Sequence, residues 1–146
     1  PQPRCILVTG AGSGIGAGVA AHLAREGHHL VVTDLSGDAA MQVAAAIREE
    51  GGSVEAHALD VTRDDSVAAV LAAVSRPVDV LVNNAGLQHV SRLEDFPMEK
   101  WDLLVQVMLV GVARLTRAVL PGMRERGFGR IVNIGSIHSL VASPFK

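Results

Sequence analysis

The feature that most constrains this chain is the run Thr9-Gly10-Ala11-Gly12-Ser13-Gly14-Ile15-Gly16, with glycine at every second position. Just before it stands Cys5-Ile6-Leu7-Val8, a short apolar run that reads as a buried parallel strand. Just after it, Val19, Ala20 and Leu23 recur at helical spacing across residues 17–26. Strand, glycine-dense turn and helix in that order is a geometry that holds a pyrophosphate. Glycines let the backbone turn sharply and approach the ligand, and the first N–H groups of the helix point at the anion. Counting from Gly10, Ile15 stands where a strict G-x-G-x-x-G pattern needs its third glycine. Two other registers fit, G-x-G-x-x-A from Gly12 to Ala17 and T-G-x-x-x-G-I-G from Thr9 to Gly16. The alternative is a flexible glycine loop with no ligand.

Composition narrows the class. The chain has 146 residues, 49% hydrophobic and 19% charged, which suits one globular domain with an ordinary core. A formal net charge of -2 gives no electrostatic case for nucleic acid or an acidic membrane. No unbroken run reaches the roughly eighteen apolar residues that read as a membrane span. Pro1-Gln2-Pro3-Arg4 leads straight into the first strand, so no signal peptide is expected and a cytoplasmic protein is the default. Cys5 is the single cysteine and reads as a packed thiol. The six histidines show no metal-ligand spacing. The chain contains no tyrosine.

Further along, residues 29–33 read as a second buried strand ending on Asp34. Asp38 is expected to cap a helix over residues 39–50, stopped by Gly51-Gly52. A third strand over residues 53–59 ends at Asp60-Val61, and Thr62 is expected to cap a helix that closes before Pro77. Residues 78–82 form the fourth strand, followed by Asn83-Asn84-Ala85-Gly86. A polar loop then leads to a long helix over residues 97–125, which Pro121 should bend or nearly end. Residues 130–134 form the fifth strand, and residues 135–146 read as loop. Five alternations of strand and helix imply an α/β doubly wound parallel sheet of Rossmann type, with helices on both faces. Ligands bind such sheets beyond the carboxyl ends of the strands. Gly10 to Gly16, Asp34, Asp60, Asn83 to Gly86 and Ser136 all fall there.

These motifs together resemble the classical short-chain dehydrogenase/reductase family. The match covers essentially the whole chain: T-G-x-x-x-G-I-G, Asp60-Val61, N-N-A-G at Asn83 to Gly86, and N-x-x-S ending at Ser136. Within the family, Gly86-Leu87-Gln88-His89-Val90, Phe96-Pro97 with Lys100-Trp101, and Ser136 to Lys146 resemble the D-3-hydroxybutyrate dehydrogenase branch. The resemblance implies that Gln88, His138 and Lys146 bind a small carboxylate substrate. It implies that Ser136 is catalytic, donating a hydrogen bond to the substrate oxygen as charge develops there. It also implies cofactor contacts from Gly10, Ser13, Gly14, Ile15, Gly16, Asp60, Val61, Asn84, Ala85 and Gly86. A homo-oligomer, a tetramer, is expected of the complete protein.

Asp34 stands 18 residues beyond Gly16, where a carboxylate can accept hydrogen bonds from the adenosine ribose hydroxyls. A 2′-phosphate there would meet a negative charge, and Arg25 is the sole Lys or Arg between Gly10 and Gly37. The expected cofactor is therefore NAD and not NADP. Plain structural roles stay open for each residue: Asp34 as a loop aspartate, Asp60 as a helix starter, Asn83 as a tie between strands, Ser136 as a turn serine, Gln88 and Lys146 as solvated side chains. Trp101 reads as a packing anchor.

Two departures bear on chemistry. Many family members carry V-N-x-x-G in the long helix, whereas Val107-Met108-Leu109-Val110-Gly111 places a thioether, a weak acceptor, at the asparagine position. The family's Y-x-x-x-K motif, whose tyrosine is the general acid/base, should begin about three residues beyond Lys146. The expectation is an amino-terminal part, residues 1–146, of an NAD-dependent oxidoreductase acting on D-3-hydroxybutyrate, carrying five of the family's usual seven strands. Such a part should be inactive alone and, with its fifth strand an exposed edge, prone to aggregate. A 3-oxoacyl or sugar-alcohol reductase is the alternative within the class, and a non-catalytic nucleotide-binding module the alternative outside it.

Overall fold

A computed structural model describes residues 2–141 and residue 144. Five parallel strands, β1 (Cys5–Val8), β2 (His29–Asp34), β3 (Ser53–Ala58), β4 (Val80–Asn83) and β5 (Arg130–Asn133), lie in the order β3-β2-β1-β4-β5. The order reverses between β1 and β4, so the loops that follow these two strands part from a common line and leave a crevice.

Alternate residues of the strands feed two cores. Cys5, Leu7, Val31 and Leu81 point to one face, under α3 (Asp64–Ala73) and α5 (Gly111–Glu125). Ile6, Val8, Leu30, Val32 and Val82 point to the other, under α1 (Gly14–Arg25) and α2 (Gly37–Glu49). β1 and β2 are buried along almost their whole length, as strands covered on both faces must be. Small residues bring α1 and α2 close to the sheet: Ala20, Ala24, Ala40 and Ala44 are buried.

Several local expectations change. Ser36, not Asp38, caps α2, its Oγ accepting from Ala39 N at 3.3 Å; Asp38 sits inside the first turn, where its charge suits the helix dipole. Thr62 caps nothing. Its N–H and hydroxyl both donate to Asp60 Oδ1, at 2.9 and 2.6 Å, and α3 starts only at Asp64. β4 begins at Val80, and Asp79 just before it accepts from Cys5 N at 3.1 Å. Pro121 does not end α5, which runs to Glu125. The proline lies on the exposed face, where water can satisfy the carbonyl it leaves unpaired.

The long helix is interrupted elsewhere. α4 (Met98–Val105) passes through a π-helical turn, Gln106–Val110, into α5. By length and composition Met98–Glu125 could cross a bilayer, which a search for unbroken apolar runs does not reveal, because Arg114 and Arg117 interrupt it. Gly111, Leu115, Val119 and Met123 are nevertheless buried at four-residue intervals, and Leu115, Val119 and Met123 belong to the core on that face of the sheet. Trp101 and Leu103 of α4, Leu109 of the π turn, Val132 of the edge strand β5 and Ile134 just after it stay exposed.

At the opposite edge a polar cluster fastens β3 to its neighbours. Glu55 accepts from His29 Nε2 (3.0 Å), His57 Nε2 (3.2 Å), and Ser75 N and Oγ (3.1 and 3.0 Å), while His29 Nδ1 meets Ser53 Oγ at 2.7 Å. A carboxylate only accepts, so His29 carries its proton on Nε2 in this network. Partial burial pushes the Glu55 carboxyl up, but the hydrogen bonds from His29, His57 and Ser75 outweigh it and bring the pKa down to about 2. The folded value lies below the unfolded value of about 4.3. The stabilisation is thus complete above the unfolded pKa and drains away as pH falls through about 2. Glu55→Ala strands the buried His29 donor and should cost about 1–3 kcal/mol at pH 7. Urea unfolding at pH 7 and at successively lower pH checks this: the gap to the unsubstituted protein should narrow with acid, and equal midpoints at pH 7 would remove Glu55 from the stability account.

Candidate functional site

The first and fourth loops are welded together at the switch point. Thr9 ends β1 with a buried side chain, and its Oγ1 accepts from Asn84 N and Ala85 N, each at 3.0 Å. In return the Asn84 amide donates to Thr9 O (2.9 Å) and Gly10 O (3.0 Å). Asn84, expected among the cofactor contacts, is also the strut of the glycine turn. Thr9 was not among the expected site residues, although its signal was there: a hydroxyl at the end of a buried strand needs a partner. Asn83 takes the structural role left open for it, its amide donating to Asn133 Oδ1 at 2.9 Å between β4 and β5.

The glycines are demanded by contact. A Cβ on Gly16 would lie 2.5 Å from both Asn84 Nδ2 and Gly10 O, and one on Gly12 would lie 2.8 Å from Asp34 Cγ and from Ala39 Cβ. Gly16 thus seats the start of α1 against the first turn, and Gly12 lets the turn reach the end of β2. Ser13 stands at the N-cap position of α1 without a side-chain cap bond, and Gly14 and Ile15 open the helix, with Ile15 exposed. Backbone at an uncapped helix start, beside glycines that leave no Cβ in the way, suits a pyrophosphate.

Asp34 is held in place before any ligand arrives. Its Oδ2 accepts from Gly12 N and its Oδ1 from Ser36 N, both at 3.0 Å. A cleft of about 270 Å³ runs from there, lined by Gly10, Asp34, Asp60, Val61, Ala85 and Gly86 of the expected residues, and by Leu35, Leu59, Leu87 and Val107 besides. Leu35 and Leu59 stand just past strand ends, Leu87 follows Gly86 and Val107 lies in the π turn; residue types so ordinary in a core do not separate core from cleft wall. Asp60 serves twice, anchoring the turn through Thr62 and facing the cleft.

Met108 lies in the π turn with its Sδ 3.5 Å from the point where a Cβ on Gly86 would stand, so the thioether packs over the fourth loop. π turns of this kind recur at functional sites because they redirect one side chain out of the helical register. Beyond β4, Gln88 is exposed. The same loop is pinned by a ladder of edge-to-face rings, His89 on Phe96 (5.0 Å) and Phe96 on Trp101 (5.8 Å), which gives Trp101 its anchoring role. Beyond β5, Ser136 caps a 3-10 turn, Ile137–Ser139, through His138 N (3.2 Å). His138 is exposed, with Nδ1 3.3 Å from Val141 O. The structure therefore brings the glycine turn, Asp34, Asp60, Val61, Ala85 and Gly86 around one cleft. It places Gln88, Ser136 and His138 on the following loops of the same sheet edge, and Lys146 lies outside the described residues. Among the described residues no group of three His, Cys, Asp or Glu is placed to hold a metal ion.

Comparison with known proteins agrees with this geometry. The family model described as short chain dehydrogenase matches residues 4–146. A D-beta-hydroxybutyrate dehydrogenase of Rhizobium meliloti (strain 1021) is 40% identical, the match covering 98% of this chain and 57% of that protein. A gluconate 5-dehydrogenase of Gluconobacter oxydans (strain 621H) is 38% identical over 94% of this chain and 55% of its own length. The crystal structure of a gluconate 5-dehydrogenase from Burkholderia cenocepacia J2315, in complex with NADP and tartrate, superposes with a TM-score of 0.92 at 36% identity, covering 99% of this chain and 58% of that one. The chain thus spans a little over half the length of the relatives it matches. With its parallel sheet, glycine turn and switch-point cleft, it belongs to the short-chain dehydrogenase family.

Proposed function

We propose that residues 1–146 are the cofactor-binding amino-terminal part of an NAD-dependent oxidoreductase. The complete protein would move a hydride between NAD and the secondary alcohol of a small 3-hydroxy acid, interconverting D-3-hydroxybutyrate and acetoacetate in the cytoplasm as a homo-oligomer. The observation that carries the cofactor reading is the Asp34 carboxylate, held by Gly12 N and Ser36 N at the mouth of the cleft. It can accept from two ribose hydroxyls and repels a 2′-phosphate. Arg25, the sole Lys or Arg near it in sequence, pairs instead with Glu50 at 3.4 Å, at the far end of α1, so no compensating charge comes from there.

In this reading Gly10, Ser13, Gly14, Ile15 and Gly16 receive the pyrophosphate on backbone N–H groups. Asp60 and Val61 take the adenine, by carboxylate and apolar wall, and Asn84, Ala85 and Gly86 leave room for the second ribose. When bound, the nicotinamide supplies the hydride chemistry. Ser136 orients the substrate oxygen and stabilises charge on it through its hydroxyl; Gln88, His138 and Lys146 bind the substrate carboxylate with amide, imidazole and ammonium donors. The proton acceptor belongs to the family's Y-x-x-x-K motif, and the chain has no tyrosine. These 146 residues alone are therefore expected to bind cofactor without turning over. The relatives named for gluconate, one of them solved with NADP, support a second reading, a sugar-acid reductase using NADP.

Two measurements separate these. Asp34→Ala should reduce the preference for NAD over NADP by about tenfold or more, since each hydrogen bond to the carboxylate is worth about 1.5–3 kcal/mol; an unchanged affinity ratio would reject the NAD assignment. In the complete protein, His138→Ala and Lys146→Ala should each raise the KM for 3-hydroxybutyrate about tenfold through the loss of a charge-assisted bond, with the KM for NAD unaltered. Turnover of gluconate but not of 3-hydroxybutyrate would replace the substrate assignment with the second reading.

A further inference from the structure

The adenine side of the cleft is shaped from behind by α5. Val61 follows β3, is buried, and lines the cleft. Its carbonyl accepts from Arg114 Nη1 at 2.9 Å across 53 residues of sequence. The same guanidinium places Nε 2.7 Å from Asp64 Oδ1 at the first residue of α3. Only 15% of the Arg114 side chain is exposed, so its position is set by these two partners and not by solvent. One turn earlier, Gly111 lies flat against Val61: a Cβ there would stand 3.1 Å from both Val61 Cγ2 and Val61 O. On the other side of the turn, Asp60 is locked by Thr62 and by Ser66, whose Oγ accepts from Asp60 N at 3.0 Å.

We propose that Arg114 is a positioning residue for the cofactor: by holding the Val61 carbonyl while Gly111 supports the Val61 side chain, it fixes the wall on which the adenine rests. The proposal rests on the cofactor reading given above. The Val61 carbonyl and side chain belong to one short backbone segment, so a shift of that segment away from α5 breaks the bond to the carbonyl and carries the side chain with it. A guanidinium that forks between this carbonyl and Asp64 resists that shift. Arg117, the next arginine along the helix, is exposed and stands 3.9 Å from the same Asp64 oxygen. It shares the ion pair but not the carbonyl, which makes it the natural control.

Isothermal titration of the complete protein with AMP and with nicotinamide mononucleotide tests this, because AMP uses the adenine wall and the mononucleotide does not. Arg114→Met should weaken AMP binding about fivefold or more, the lower end of ordinary coupling between linked sites, while nicotinamide mononucleotide binds as before. Arg117→Met should leave both unchanged. Gly111→Ala, which presses on Val61 from the other side, should weaken AMP in the same selective way and keeps the test open if Arg114→Met folds poorly. Equal AMP affinity in Arg114→Met would overturn the proposal, as would a parallel loss of both ligands with a lowered unfolding midpoint. Failure of the unsubstituted protein to bind AMP would instead sink the cofactor reading itself.

Discussion

The two hydrogen bonds that Thr9 Oγ1 accepts from Asn84 and Ala85 N–H groups hold the switch point together. A parallel sheet whose order reverses must let two chain segments diverge where β1 and β4 end side by side, and every backbone group exposed there needs a partner. Thr9 and Asn84 supply those partners reciprocally, hydroxyl to amide N–H and side-chain amide to carbonyl. Once they are in place, Gly10 and Gly16 are forced to be glycine by contact with the fourth loop and with the turn itself. The phosphate-binding shape is thus a consequence of joining two strands, not a separate feature added to them.

The faces of the sheet differ in what they do for the site. Under α1 and α2 the packing residues are small, Ala20, Ala24, Ala40 and Ala44, so the helices sit close and the start of α1 is brought down onto the first turn. Under α3 and α5 they are larger, and the cleft is reached from the π turn and the first residue of α5: Val107 lines it, Met108 packs on Gly86, and Gly111 abuts Val61. The π turn between α4 and α5 lies where these contacts are made. A regular helix over the same residues would rotate Met108 away from its present direction by part of a turn, because the π turn carries extra residues per revolution.

Fold class was legible from the sequence because buried parallel strands and amphipathic helices have different periods, and five alternations leave few topologies. The cleft residues that carry unusual chemistry in unusual places, such as Asp34 and the alternating glycines, were legible for the same reason. Cap identities were less so. Ser36 and Asp38 are both good caps by type, and the choice fell to the backbone path out of Asp34. Thr62 was misread because a threonine before a helix can bond forward to the helix or backward to an aspartate, and Asp60 claims it. The π turn carries no composition signal at all. Leu35, Leu59, Leu87 and Val107 were missed because their residue types are ordinary in core, and only three-dimensional neighbours assign them to the cleft.

Asp34 carries a double duty, lining the cleft and anchoring the glycine turn. An ionised carboxylate offers about four acceptor positions, and backbone N–H groups of Gly12 and Ser36 occupy one on each oxygen. The side chain is therefore oriented by the fold, and a ligand need not bear the entropy of ordering it. The same bonds make the glycine turn depend on the residue that ends β2. Gly12 approaches Asp34 so closely that a side chain on Gly12 would not fit between them. The direction of the Asp34 carboxylate is thus built into the backbone path of the turn.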